Sequence, residues 1–321
     1  MTVQLRPEET DAGGPDRREH LEAAVVRFAG DSGDGMQLTG SQFTLAAAVA
    51  GNDLVTFPDF PAEIRAPIGT TFGVSTFQIN FGTREIRTAG DALDVLVAMN
   101  PAALITNLGD LREDGLLIVD ENAFQERNLK KAGYEGNPLE DGSLDKYRVL
   151  LLEISKFAQN AAKAAGATEI TNKDTLRTKN MWALGLVLWF FDRDTAPTRD
   201  WLKTKFRKLP DIATINVAAL EAGHAFGETM ELAPGIHTYE VPPAHFPPGE
   251  YRNVTGTEGI CWGLAAGAHL AGLPLIYCSY PITPASNMLH VFARMVEEFG
   301  VKTFQAEDEI AAATAAIGAS Y

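Results

Sequence analysis

The chain has 321 residues, with 27 Lys and Arg against 42 Asp and Glu, a formal charge of −15. That length points to two domains with a sizeable core, and that charge argues against a nucleic-acid partner or an anionic membrane surface, both of which attract basic faces. The only two cysteines, Cys261 and Cys278, form no C-x-x-C pair; this excludes a disulfide scaffold and any self-contained zinc or iron-sulfur site, and suits a reducing cytoplasm.

Residues 1–22 read as a flexible, solvated tail, given Pro7, Gly13-Gly14-Pro15 and mixed charges with no apolar h-region of a secretory signal. No run in the chain approaches the length of a membrane span. The apolar run Val25-Val26-Arg27-Phe28-Ala29 then breaks into Gly30-Asp31-Ser32-Gly33-Asp34-Gly35, and a helix is expected through Phe43 to Ala50. Strand, tight glycine turn and helix can bring backbone amides and a helix N-terminus up to a phosphate. The order G-x-x-G-x-G with no lysine behind it fits neither the dinucleotide fingerprint nor the P-loop, and an EF-hand loop fails on the spacing of Asp31 and Asp34. On spacing alone, a glycine turn without a ligand is an equally good reading.

Leu54 to Phe57 follows as a strand, and Pro58 to Pro67 as a rigid extended loop presenting Arg65, either to a phosphate or carboxylate or simply to Glu63 and solvent. Phe77, Ile79 and Phe81 alternate with Thr76, Gln78 and Asn80, which predicts a half-buried hairpin turned by Gly82-Thr83. Asp91 is expected to cap a helix through Leu93, Leu96 and Met99 that Asn100-Pro101 stops, with buried strands at Ala103–Thr106 and Leu116–Val119. Glu121 to Lys146 reads as a long loop or insertion, and Val149 to Leu152 resumes the sheet.

Helices are expected at Lys156–Ala165, Asp174–Phe191, Arg199–Lys208 and Ile212–Met230. In the second, Met181, Leu184, Leu188 and Phe191 form a core stripe, and Trp182 and Trp189 serve packing. Strands separated by helices imply an α/β fold, a Rossmann-like doubly wound sheet. The resulting first domain spans 23–232, and the proline-rich stretch 233–254 reads as a linker. A second α/β unit, 255–321, runs helix Gly256–Gly272, strand Leu275–Ser279, helix Ala285–Phe299, strand Val301–Gln305 and helix Asp308–Tyr321. Two strands and three helices do not complete a doubly wound domain, which implies the front part of a longer polypeptide or a need for partner surface.

The run Tyr280-Pro281-Ile282-Thr283-Pro284-Ala285-Ser286 resembles the Tyr-Pro-Ile-Thr-Pro-Ser-Ser motif of the 2-oxoacid:ferredoxin oxidoreductases, with Ala285 where serine is usual. Ala306 to Ala313 and Ile317-Gly318-Ala319 resemble that family's next elements, and the glycine turn with Phe60 to Pro67 resembles its gamma module. The fused gamma-alpha order is similar to that of the alpha subunit of a 2-oxoglutarate-type enzyme.

The resemblance implies CoA-dependent oxidative decarboxylation of a 2-oxoacid, with electrons passed to ferredoxin. It also implies that residues 255–321 begin a pyrimidine-binding domain for thiamine diphosphate. Mg²⁺ and a [4Fe-4S] cluster would lie in a partner beta subunit, in an (alpha-beta)2 assembly. By the same resemblance Glu309 holds the proton at the pyrimidine N1′, although a surface acid favoured by the helix dipole is the plainer reading. Thr283 would contact the substrate, with Pro281 and Ile282 beside it; otherwise it is a capping threonine. Gly33, Asp34, Gly35 and Arg65 are the candidates for the coenzyme A diphosphate, although Asp31 and Asp34 suit an anion poorly. A CoA- or nucleotide-binding regulatory module without redox activity is the alternative, and a purely structural subunit a third reading.

Overall fold

The computed structural model describes residues 2–4, 18–61, 66–229 and 236–321, and divides into two compact units between Pro247 and Pro248. The first unit opens with β1 (Thr2–Gln4), β2 (Arg18–His20), β3 (Ala23–Asp31), α1 (Met36–Val49), β4 (Asp53–Asp59), β5 (Val74–Gly82), β6 (Leu93–Ala98) and α2 (Pro101–Asn107). There follow β7 (Leu111–Asp120), α3 (Glu126–Ala132), β8 (Arg148–Leu152), α4 (Ile154–Ala164), α5 (Asn172–Arg177), α6 (Lys179–Phe190), α7 (Ala196–Lys205), α8 (Pro210–Thr229) and β9 (Thr238–Glu240).

Seven of these strands form a mixed sheet in the order β1-β8-β7-β6-β3-β5-β4. Its centre, β8-β7-β6-β3, is parallel; β5 runs antiparallel to both β3 and β4, and β1 antiparallel to β8. Parallel strands covered on both faces become continuous apolar runs, and Leu116-Leu117-Ile118-Val119 of β7 are all 1% exposed or less. On one face, Val26, Phe28, Ile79, Phe81, Val97 and Ile118 pack under α1, α4, α6 and α8. On the other, Ala29, Leu96, Leu117 and Leu151 pack under α2 and α3. Phe43 of α1 meets Phe28, Phe81 and Phe191 edge to face at 5.4–5.8 Å, each such pair contributing about 0.5–1.5 kcal/mol beyond burial. The Met181, Leu184, Leu188 and Phe191 stripe is buried, as is Trp182, and Trp189 packs partly buried against the same core.

The structure differs from the sequence expectation most between Asp91 and Thr106. Leu93–Ala98 is a strand and Pro101–Asn107 a helix, the reverse of the expected pair. Val95 and Val97 favour the strand through their branched side chains. Asn100 ends that strand and also starts α2, its Oδ1 accepting from Ala103 N at 2.8 Å with Pro101 in the first turn. β5 is buried on both faces rather than one, because Gln78 is enclosed and accepts from Arg27 Nε at 2.9 Å while donating to Ala89 O at 2.6 Å.

Within Glu121–Lys146 a short helix, α3, interrupts the expected loop. Two stretches of the expected tail form strands: Thr2–Gln4 pairs with β8, and Arg18–His20 pairs in parallel with β9. Residues 236–247 of the proline-rich stretch belong to the first unit, where Asn52 Nδ2 donates to Pro242 O at 2.7 Å. Arg65 lies outside the described residues.

The second unit contains α9 (Gly256–Ala271), β10 (Ile276–Ser279), α10 (Ser286–Ala293), α11 (Val296–Phe299), β11 (Lys302–Gln305) and α12 (Glu309–Ala319). The expected helix Ala285–Phe299 is thus two helices separated at Arg294-Met295. Thr255 and Glu258 close a capping box at the start of α9, and β10 and β11 pair in parallel. Among the described residues no helix is long and apolar enough to cross a membrane.

Candidate functional site

The connections leaving the neighbouring strands β3 and β6 run toward opposite edges of the sheet, through α1 on one face and α2 on the other. A crevice at such a switch point, outside the carboxyl ends of the strands, is where open α/β sheets take ligands. The glycine turn stands on one side of it and Asn100 on the other.

Gly35 caps α1 in the left-handed region at φ 80°, and a side chain on it would overlap Asn180 Nδ2 at the start of α6. Gly33 has open space where its Cβ would be. Ser32 N donates to Gly73 O at 3.1 Å and Asp34 N to Asp31 O at 2.8 Å, so these two amides are used by the fold. Among the described residues the amides of Gly33 and Gly35 have no acceptor, as at the first turn of α1, and unpaired amides of this kind are able to donate to an anion.

The two awkward carboxylates turn out to be engaged internally. Asp31 Oδ1 accepts from Gly69 N at 3.0 Å, while Asp34 Oδ2 accepts from Asp31 N at 3.1 Å and Asp34 Oδ1 meets Lys179 Nζ at 2.7 Å. Burial raises the pKa of Asp31, and the Gly69 amide opposes that rise. At the end of β7, Asp120 is fully buried and accepts from Ser155 Oγ at 2.5 Å and Ser155 N at 3.1 Å. Burial raises its pKa as well, against the Ser155 hydrogen bonds and the Lys179 charge. Gly33, Asp34 and Gly35 are therefore brought together, and Lys179, Asn100 and Asp120 join them. Sequence reading missed these three because Lys179 and Asp120 reach the turn only through the fold, and Asn100 was read only as a helix stop.

In the second unit, the carboxyl ends of β10 and β11 carry the other candidates. Tyr280-Pro281-Ile282-Thr283-Pro284 leaves β10 with a cis Thr283–Pro284 peptide. The loop is pinned by Ser286, whose Oγ accepts from Ile282 N at 2.9 Å and donates to Ile282 O at 2.8 Å. Thr283 is exposed and makes no hydrogen bond among the described residues; α10 has Ala285 at its cap, so Thr283 does not cap that helix.

Beside that loop, Ala306 N donates to Ser279 O at 2.7 Å, which brings the turn before α12 against the end of β10. Asp308 is the cap of α12, its Oδ1 accepting from Ala311 N at 2.8 Å, and the capping role is therefore not that of Glu309. Glu309 is exposed at the first helical position. Partial desolvation, then the charge and hydrogen-bond acceptance of Glu309, raise the pKa of the Tyr280 hydroxyl. Tyr280 lay inside the quoted motif, yet only the folded loop shows it facing the glutamate.

The first of these units carries, at a switch point of its sheet, a glycine turn with two amides that lack an acceptor among the described residues, and the second an exposed carboxylate and hydroxyl at parallel strand ends. A family model described as pyruvate ferredoxin/flavodoxin oxidoreductase matches residues 25–226, and one described as the thiamine diphosphate-binding part of pyruvate flavodoxin/ferredoxin oxidoreductase matches residues 267–321. The chain belongs to the pyruvate ferredoxin/flavodoxin oxidoreductase family.

It is 52% identical over 318 residues to the 2-oxoglutarate oxidoreductase subunit KorA of Mycobacterium tuberculosis (strain ATCC 25618 / H37Rv), an alignment that covers 98% of this chain and 48% of that protein. Its fold is like that of the 2-oxoglutarate:ferredoxin oxidoreductase from Magnetococcus marinus with 2-oxoglutarate, coenzyme A and succinyl-CoA bound. The TM-score is 0.65 and the identity 24%, with 94% of this chain and 46% of that one covered. The chain thus spans about half the length of these two proteins.

Proposed function

We propose that the chain contributes to a thiamine diphosphate-dependent 2-oxoglutarate:ferredoxin oxidoreductase, which converts 2-oxoglutarate and coenzyme A to succinyl-CoA and CO2 with transfer of electrons to ferredoxin. The observation that carries this is the meeting, at the ends of β10 and β11, of the Tyr280–Pro284 loop with a Glu309 that no capping role occupies. The identity to the mycobacterial subunit and the coenzyme A-bound neighbour support the choice of substrates.

The residues present fit the pyrimidine half of thiamine diphosphate, because an exposed carboxylate beside a phenol can share a proton with a ring nitrogen. The chemistry this cofactor supplies when bound is a nucleophilic carbon for the keto group and a sink for the electrons that CO2 leaves behind. Glu309 holds the proton at N1′, and Tyr280 donates to that carboxylate and orients it. The free Thr283 hydroxyl takes an oxygen of the 2-oxoacid, with Pro281 and Ile282 fixing the loop. In the first unit, the Gly33 and Gly35 amides hold the coenzyme A diphosphate, and Arg65 adds charge. Mg²⁺, the [4Fe-4S] cluster and the contact with ferredoxin belong to a beta subunit in an (alpha-beta)2 assembly.

The test is 2-oxoglutarate-dependent dye reduction by the full-length chain co-purified with its beta partner, with and without coenzyme A. Glu309→Ala is expected to lower kcat by about 10²-fold or more, while calorimetry still detects coenzyme A binding. Undiminished turnover in Glu309→Ala would remove that assignment. Coenzyme A binding without turnover of any 2-oxoacid in the wild type would favour a regulatory module.

A further inference from the structure

We infer that Lys179 is a positioning residue of the anion crevice, acting by pairing with Asp34 so that the glycine turn can accept a phosphate. The inference rests on the coenzyme A reading of that turn.

Lys179 is the first residue of α6, far from the turn in sequence, and its Nζ lies 2.7 Å from Asp34 Oδ1. Both side chains are largely enclosed, at 17% and 16% exposure, so the pair is shielded from the solvent and salt that weaken surface bridges. The other oxygen of Asp34 accepts from Asp31 N, and the carboxylate therefore ties the end of β3 to the start of α6. The next residue, Asn180, lies where a side chain on Gly35 would project. Two consecutive residues of α6 thus set the turn, one by charge and one by shape.

The charge balance shows why the pair matters to a ligand. Asp31, Asp34 and Asp120 place three carboxylates around the ends of β3 and β7, and the Lys179 charge acts on both Asp31 and Asp120 as well as pairing with Asp34. An anion at the first turn of α1 is favoured by the amides and the helix dipole. It is opposed by any carboxylate in the same turn that lacks a counter-charge. Without Lys179, Asp34 presents an uncompensated charge within the turn that has to receive the diphosphate. The role is thereby indirect: the lysine neutralises Asp34 and does not touch the ligand.

Coenzyme A binding to the complex of this chain with its partner would be measured by calorimetry, together with KM for coenzyme A and for 2-oxoglutarate. Lys179→Met is expected to weaken coenzyme A by about tenfold or more and leave KM for 2-oxoglutarate unchanged. Lys179→Arg should retain most of the affinity. The double variant Lys179→Met/Asp34→Asn removes both charges of the pair and is expected to return the affinity to within about threefold of wild type. It also keeps the test open if the single variant fails to fold.

Unchanged coenzyme A affinity in Lys179→Met would overturn the inference. A double variant as weak as the single would also overturn it, by assigning Lys179 a direct contact with the anion. A wild type that does not bind coenzyme A would instead remove the reading of the turn, and the inference with it.

Discussion

Asp120 carries a carboxylate with no exposed surface, and the Ser155 hydrogen bonds and the Lys179 charge work against its desolvation. Burial raises its pKa in the folded protein above the ordinary aspartate value that the unfolded chain keeps. The folded state therefore holds this proton to higher pH than the unfolded state. Stability is lost as pH rises from the ordinary aspartate pKa through the raised one. Asp120→Asn removes that loss and keeps an oxygen for Ser155 N. Its stability relative to wild type, by urea unfolding at pH 4 to 7, should thus improve as pH rises, whereas a difference constant across that range would refute the effect.

Legibility followed chemistry at this scale. The glycine turn and the Tyr280–Pro284 loop could be read because their residue types are local and unusual. Lys179 and Asp120 could not, since an isolated lysine or aspartate acquires its role only when strand ends and a helix start converge.

Among elements, α6 and α8 pack backbone against backbone. A side chain on Gly185 would collide with Leu220 O, and one on Gly223 with Trp182 O, so the two helix backbones meet almost directly through glycine. Neither helix can move away cheaply, because Trp182, Leu184 and Leu220 are all fully buried around the crossing. Gly223→Ala is expected to cost about 1–3 kcal/mol, the range for overpacking a tight core, despite the better helix propensity of alanine. Equilibrium denaturation would measure it, and a neutral or stabilised variant would show that the helices separate freely.

The same scale explains why most helices and strands were readable and the pair at 93–107 was not. Long helical segments such as α8 and short apolar runs such as Leu116–Val119 of β7 declare their type. Leu93-Asp94-Val95-Leu96-Val97-Ala98 is buried on almost every side, and burial of that kind erases the periodicity that separates a strand from a helix. Asn100-Pro101 then serves as a start signal as well as a stop.

For the whole molecule, the two units differ sharply in how much core each contains. The first buries two clusters on opposite faces of its sheet, including the interlocked Phe28, Phe43, Phe81 and Phe191. The second buries Cys261, Ala265, Val291, Phe292 and Val301. It leaves Leu270, Leu273, Ile310 and Ile317 at 60% exposure or more.

Stability rises with the share of surface buried, so the units should not be equally autonomous. A fragment of residues 1–247 is expected to unfold cooperatively and to show the coenzyme A binding proposed for the glycine turn, because every described residue of that turn and its partners lies within it. A fragment of residues 248–321 is expected to lack a sharp thermal transition and to bind an apolar dye. Calorimetry and dye fluorescence on the two fragments check this directly. If 248–321 instead melted cooperatively without the dye, its small cluster would suffice as a core, and the exposed Leu270, Leu273, Ile310 and Ile317 would need no covering surface.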